Sequence, residues 1–345
     1  MQTIIKTPGP ASFLALVPHL IGMQPSESLV VIPFTGKRTA GGLRVDLPSR
    51  SSDLKPLVNH VASLLGRLRG VDGVVVIVYC STASDLLPHR DLVEVALRRL
   101  SRDGFAIKDA FCVTDQDWAP YISDSGRVAF SAEWARLDAG GLSLPEMPSL
   151  LPPLEHVPAS DSEVNAVASE VAALQQSFEV DELDDLDLDV DLEEAIQDLP
   201  STMEAALLWD DEQFALRRSF LLAVLQSPAV RDSTMLQWAS DPAIRDRLWD
   251  EPESADLIFG IGPLPDRDRL VAGIALLTRL RSVASPALQP SLLCMLSWLS
   301  WAMGAGSRAG EYLDAIVPID AEYGMGGVLR SLQLSGHVPE WLLAR

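Results

Sequence analysis

Cations are scarce in this chain. Lysine and arginine number 27 against 48 aspartates and glutamates, for a formal net charge of −21. Nucleic-acid binders gain affinity by releasing counterions from phosphates with clustered basic groups, so this balance argues against that class. The same shortage argues against attachment to an anionic membrane surface. Cysteines are few as well: Cys80, Cys112 and Cys294 are odd in number, far apart and without a CxxC pair. That pattern excludes a disulfide framework and fits thiols kept reduced in a cytoplasm. His19, His60, His89, His156 and His337 are too scattered to complete a zinc site. Long apolar runs are missing too. The N-terminal run, residues 13–20, contains Pro18, which argues against a signal peptide. The most apolar later stretch, residues 292–303, falls well short of the ~20 residues needed to span a bilayer. The expectation is a cytoplasmic protein with no metal, no cofactor, no nucleic-acid partner and no membrane contact.

Motif-grade catalytic signatures are also lacking. No GxSxG elbow surrounds Ser81, and Gly36-Lys37 lacks the upstream glycine and following hydroxyl residue of a phosphate-binding loop. Gly304-Ala305-Gly306 falls between two helical patterns and not after a strand, which disfavours a dinucleotide site. The acidic run 181–198 holds ten carboxylates and no cation, nearly half of the whole imbalance. Counted as a calcium loop from Asp187, its sixth position is Leu192 where a sharp turn needs glycine. A solvated acidic segment is the plainer reading.

What is present is enough apolar residue, 48% of the 345, for roughly two packed domains. Residues 13–21 form a helical stripe, and 29–34 a short apolar strand in which Pro33 cannot donate to a ladder, so the strand is expected to lie at an edge or to end there. A glycine-rich turn leads to Leu43, Val45 and Leu47, which alternate with Arg44 and Asp46 as in a half-buried strand. Helical spacing follows at 54–68, a continuous β-branched strand at 74–79, a helix at 92–100, and strands at 106–113 and 127–130. Strand–helix–strand alternation predicts an α/β domain over residues 1–139, with a mainly parallel sheet and an antiparallel edge hairpin. Residues 140–200 read as a proline-rich linker, a helix over 161–178 and the acidic segment. Residues 201–345 read as an all-α domain: one long helix from a Ser201/Glu204 capping box to Leu225, then helices at 268–284, 291–303, 309–316 and 324–334. Trp298, Trp301, Ala309, Leu313 and Ile316 approximate one tetratricopeptide-like repeat near 290–323, with Ala321 where that repeat usually has proline.

Ligands of α/β sheets gather at the C-terminal ends of the parallel strands. Here that rim would present Asp46, Cys80, Ser81, Thr114, Asp115 and Asp117. Carboxylates there could hold a cation, and a strand-end serine could act as a nucleophile, so Asp46, Ser81 and Asp115 are the candidate catalytic residues. Ser28, Arg44 and Trp118 are the candidate binding residues. Polar strand ends also serve simply to cap helices, and Arg44 is a plain ion-pair partner for Asp46.

Two separated segments carry a family likeness. PHLIGMQPSESLVV with the following LRVDLP, and LLCMLSWLSWAMGAGSRAGEYLDAIVPIDAEYGMGGVLRSL near the end, resemble the actinobacterial domain of unknown function family 4192. VVVIVYC and DQDWAPY fit intervening family segments more loosely. Family members often carry a Cys-Cys-Pro-like sequence after W-x-x-Y, whereas here Tyr121 is followed by Ile-Ser-Asp-Ser. The resemblance implies a shared fold and no activity. The expectation is therefore a non-catalytic interaction or adaptor protein that engages another protein through its helical half. The alternative is an enzyme, or a nucleotide- or metal-binding module, that uses the sheet rim.

Overall fold

The computed structural model describes residues 9–21, 24–47, 54–80, 87–114, 117–123, 128–129, 158–178, 195–244, 249 and 255–343. Ser81, Asp115, most of the proline-rich stretch and most of the acidic run lie outside the described residues. The chain divides into two compact units, one of residues 1–150 with 343–345 and one of residues 151–342.

The first unit runs α1 (Pro10–Ile21), β1 (Ser28–Thr35), β2 (Arg38–Thr39), β3 (Leu43–Asp46), α2 (Leu54–Arg67), β4 (Gly73–Tyr79), α3 (Arg90–Arg102), β5 (Ala106–Val113), β6 (Asp117–Pro120) and β7 (Val128–Ala129). Every residue of β4 is buried, because both faces of its Val-Val-Val-Ile-Val run are covered. Leu14 and Val17 of α1 pack on one face with Val30, Ile32, Val75 and Ile77. Val58, Val61 and Leu65 of α2 and Leu92, Ala96 and Leu100 of α3 pack on the other, with Val74, Val76 and Val78. Alternate residues of each strand thus feed two separate cores, as the period of two requires.

The sheet order is β2–β1–β4–β5–β6–β7, with β3 also paired to β1. The sheet is mixed, and this corrects the mainly parallel expectation: β4 and β5 form its parallel pair, while the other described pairings are antiparallel. The physical reason lies in β1. Helix α2 does connect two strands of like direction, β3 and β4, but β1 lies between them and runs opposite to both. At the other side, β5 and β6 are joined by residues 114–116 alone, too short a link for anything but an antiparallel turn. The hairpin does occupy an edge, but through β2 and β3. Pro33 itself sits one strand inside, paired with Val74. Its carbonyl accepts from Ala40 N at 2.8 Å, and this is where the partner strand breaks between β2 and β3. A missing donor is tolerated at a break in the ladder as well as at an edge.

The second unit comprises α4 (Asp161–Phe178), α5 (Leu199–Ala206), α6 (Asp211–Val224), α7 (Pro228–Ala239), a 3₁₀ turn at Pro242–Ile244 and α8 (Ala255–Ile258). Then come α9 (Arg267–Val283), a 3₁₀ turn at Pro286–Leu288, α10 (Gln289–Ala302), α11 (Gly306–Ile316), α12 (Gly324–Leu334) and α13 (Glu340–Leu343). Helix α10 is buried along its whole length and packs against α7, α9, α11 and α12. Its sequence, apolar or small all round, admits no solvent face. The single helix expected from Ser201 to Leu225 is two helices. Asp198 caps α5, and Asp210 with Gln213 forms a full capping box that starts α6. Glu204 receives both Nη atoms of Arg269 and the side-chain amide of Gln237, joining α5, α9 and α7.

Candidate functional site

Strand register assembles one rung across the sheet where β4 and β5 end. Asp46 pairs with Ser28, Ser28 with Tyr79, Tyr79 with Val113, Val113 with Trp118, and Trp118 with Val128. Paired residues share a face, so these side chains lie on the α1 side of the sheet. Three of the candidate residues meet here. Arg44 donates through Nε to Ser28 Oγ at 2.7 Å and through Nη2 to Asp46 Oδ1 at 2.8 Å and Ser26 O at 3.2 Å. The Ser28 hydroxyl donates in turn to Ser26 O.

Exposure separates the three. Ser28 is wholly buried, the Arg44 side chain is 13% exposed and that of Asp46 is 80% exposed. Arg44 is thus a bracket that ties β3 to the start of β1, with its fork on one hydroxyl, one carbonyl and one carboxylate. The Ser28 hydroxyl gives its proton to the Ser26 carbonyl and accepts from Arg44 Nε, the arrangement of a structural link between strands. Ser81 and Asp115 lie outside the described residues. Farther along the rim, Thr114 Oγ1 donates to Asp117 Oδ1 at 2.8 Å, and Asp117 N donates back to Thr114 Oγ1 at 3.1 Å, which closes the turn into β6. No group of three or more potential metal ligands gathers among the described residues.

Trp118 lies on the same rung, three strands from Ser28 and 7% exposed, with its ring edge-on to Phe111 at 5.6 Å. It is a core residue of the α1 face. Its indole Nε1 and the Tyr79 hydroxyl are both buried without a hydrogen-bond partner among the described residues. Burial pushes the Tyr79 phenol well above the usual range. Each orphaned group costs about 1–3 kcal/mol relative to a satisfied one. Tyr79 escaped the sequence reading because it merely ends an aliphatic run; only a phenol closing a β-branched strand at a predicted rim could have pointed to it. Near the same rung, Glu27 adopts a left-handed φ of 40° just before β1. A side chain held in that region implies local over-determination of the backbone.

The helical unit offers a different kind of candidate. Of the eleven large apolar side chains exposed among the described residues, ten belong to it, and Ile122 alone to the first unit. Val317 and Ile319 follow α11, while Val328 and Leu334 lie on α12, a helix that buries only Leu329.

No curated protein and no solved structure matches the chain. A family model described as "Domain of unknown function (DUF4192)" matches residues 10–340, from the first turn of α1 to the start of α13. That span takes in the bracketed rung and the helical unit alike, so the chain belongs to the DUF4192 family.

Proposed function

We propose that this chain is a non-catalytic interaction protein of the cytoplasm that binds another protein through its helical unit. The observation that carries this reading is the apolar surface on and just before α12. Single exposed apolar residues are ordinary, but Val317, Ile319, Val328 and Leu334 all fall on or just before a helix that buries only Leu329, and a partner would remove them from water. Helices α10 and α11 would act as one tetratricopeptide-like pair, with Trp298, Ala309, Leu313 and Ile316 buried between and beneath them. The double substitution Val317→Ser/Val328→Ser tests the reading in full-length bait. Partner capture should be lost while the melting temperature stays within a few degrees. Capture of the same proteins by both baits would sink it.

A second reading keeps the sheet rim as a ligand site, favoured by one observation: the unpartnered Tyr79 hydroxyl and Trp118 indole N–H on the Ser28 rung. A polar ligand reaching either group would supply the bond it lacks. Screening nucleotides and divalent metals by thermal shift tests it, since a ligand of the native state raises the melting temperature. A Tyr79→Phe variant that responds unchanged would remove the phenol from any such site.

A further inference from the structure

Cys80 and Cys112 are remote in sequence and adjacent in space. Cys112 lies near the end of β5 in register with Val78, and Cys80 is the residue that follows β4, its amide donating to Val113 O at 3.0 Å. Strand alternation puts both on the side of Val74, Val76, Val78 and Ala110, the residues that pack with α2 and α3. Both side chains therefore leave the sheet in the same direction, and their Sγ atoms are 3.8 Å apart. Neither is in a disulfide. Cys294, the third thiol, is in the helical unit, wholly buried, and burial pushes its thiol up to about 12.

We propose that Cys80 and Cys112 form a redox-active dithiol that closes to a disulfide when a peroxide is the oxidant. The two sulfurs already touch, and closure brings them to the ~2.05 Å of an S–S bond. Cys80 sits past the last ladder position of β4 and retains slight exposure, whereas Cys112 is fully enclosed within β5. Cys80 is accordingly the thiol that meets the oxidant, and Cys112 the one that resolves it. In the first step the Cys80 thiolate attacks a peroxide oxygen; the S–O bond forms, the O–O bond breaks, and the departing hydroxide takes a proton to leave as water. In the second, the Cys112 sulfur attacks the Cys80 sulfenic sulfur. The S–S bond forms, the S–O bond breaks, and hydroxide leaves with the Cys112 proton as a second water. Two thiols and one peroxide become one disulfide and two waters. The product would tie the end of β4 to β5 on the face opposite the Ser28 rung.

The test uses the reduced full-length chain, treated with equimolar hydrogen peroxide, then unfolded and alkylated. Before alkylation the intact mass should fall by two hydrogens, and after it only one of the three thiols should carry the alkyl group. Digestion should yield a Cys80–Cys112 linked peptide that a thiol reductant reverses, with Cys294 fully alkylated. Three alkylated thiols, consumption of Cys294, or oxygen added to one cysteine without a link would each overturn the proposal. So would equal yield of the same link from chain unfolded before oxidation, because juxtaposition by the fold would then not be the cause. In Cys112→Ser, the Cys80 sulfenic acid should persist long enough for dimedone to label it; labelling of Cys294 instead would count against the assignment.

Discussion

The two units bury polarity in opposite ways. In the α/β unit the buried polar side chains among the described residues are Ser12, Ser28 and Thr114. The helical unit buries Arg231, Arg281, Thr234, Gln237, Gln289 and five serines. A sheet satisfies its own backbone through the ladder, so its core can be nearly pure Val, Ile and Leu. An irregular helical assembly leaves carbonyls at every helix end and turn, and side chains must reach them. Tryptophan does part of that reaching. The indole N–H of Trp238 donates to Met203 O, Trp298 to Ile258 O, Trp301 to His337 O and Trp341 to Ala302 O. Ser291 adds a bond to Leu225 O, and Gln289 spans Arg281 O and Ala284 O. Each of these bonds joins separate segments, so the polar atoms of this core specify which segments meet.

That contrast can be broken at several points. The largest effect is expected for Trp298→Ala, which removes a fully buried indole and strands the Ile258 carbonyl. A loss of about 3–5 kcal/mol is expected for a core Trp→Ala change, read from urea unfolding. Trp298→Phe separates the terms, because its remaining deficit reports the stranded carbonyl. Next comes Gly273→Ala in α9. Helix propensity alone would favour alanine by about 1 kcal/mol, but a Cβ there would sit 2.8 Å from Cε3 of the buried Trp238. Overpacking of this kind costs about 1–3 kcal/mol, so the urea midpoint should fall. In the α/β unit, Ser28→Ala leaves Arg44 Nε without its 2.7 Å partner and should cost about 1 kcal/mol, with Arg44→Ala nearly non-additive to it in a double-mutant cycle.

The smallest effect is a matter of pH. Burial raises the carboxyl of Asp109 in β5 above its ordinary value of 3.8, and a bond from Ala110 N offsets part of that. A carboxyl whose folded-state pKa is raised binds its proton more tightly in the native state. Its contribution is therefore complete below about 3.8 and is lost as pH rises through the higher folded-state value. Urea midpoints measured from pH 3.5 upward should decline over that window in the wild type and decline less in Asp109→Asn. An identical pH profile in the two proteins would refute the assignment.

How much of this was legible beforehand depended on whether a signal was local. The helices after residue 267 declared themselves by period and β4 by its unbroken β-branched run, because each buries its own stripe or faces. The split at residues 207–210 did not, since an apolar-periodic count runs across Asp210 and only the reciprocal bonds of Asp210 and Gln213 show that a helix begins there. Sheet direction was misread for a related reason: spacing reveals that α2 links two strands but not that β1 lies between them. At the rim, the Arg44–Asp46 pairing was visible from their separation of two, whereas the grip of Arg44 on Ser28 depends on the β1–β3 register. The Cys80–Cys112 approach, across the β4–β5 register, had no sequence signal at all.

The placement of β1 also has a consequence during synthesis. It leaves the ribosome before any strand it pairs with, and its longest partner, β4, is completed only at Tyr79. Until then a Leu-Val-Val-Ile segment has at most the short β2 and β3 arm on one side and an open edge on the other. An unpaired edge of that composition readily recruits foreign strands. The nascent chain is thus most vulnerable between the emergence of residue 35 from the ribosome and that of residue 79, and a pause in that interval should raise aggregation more than one after β4 has emerged.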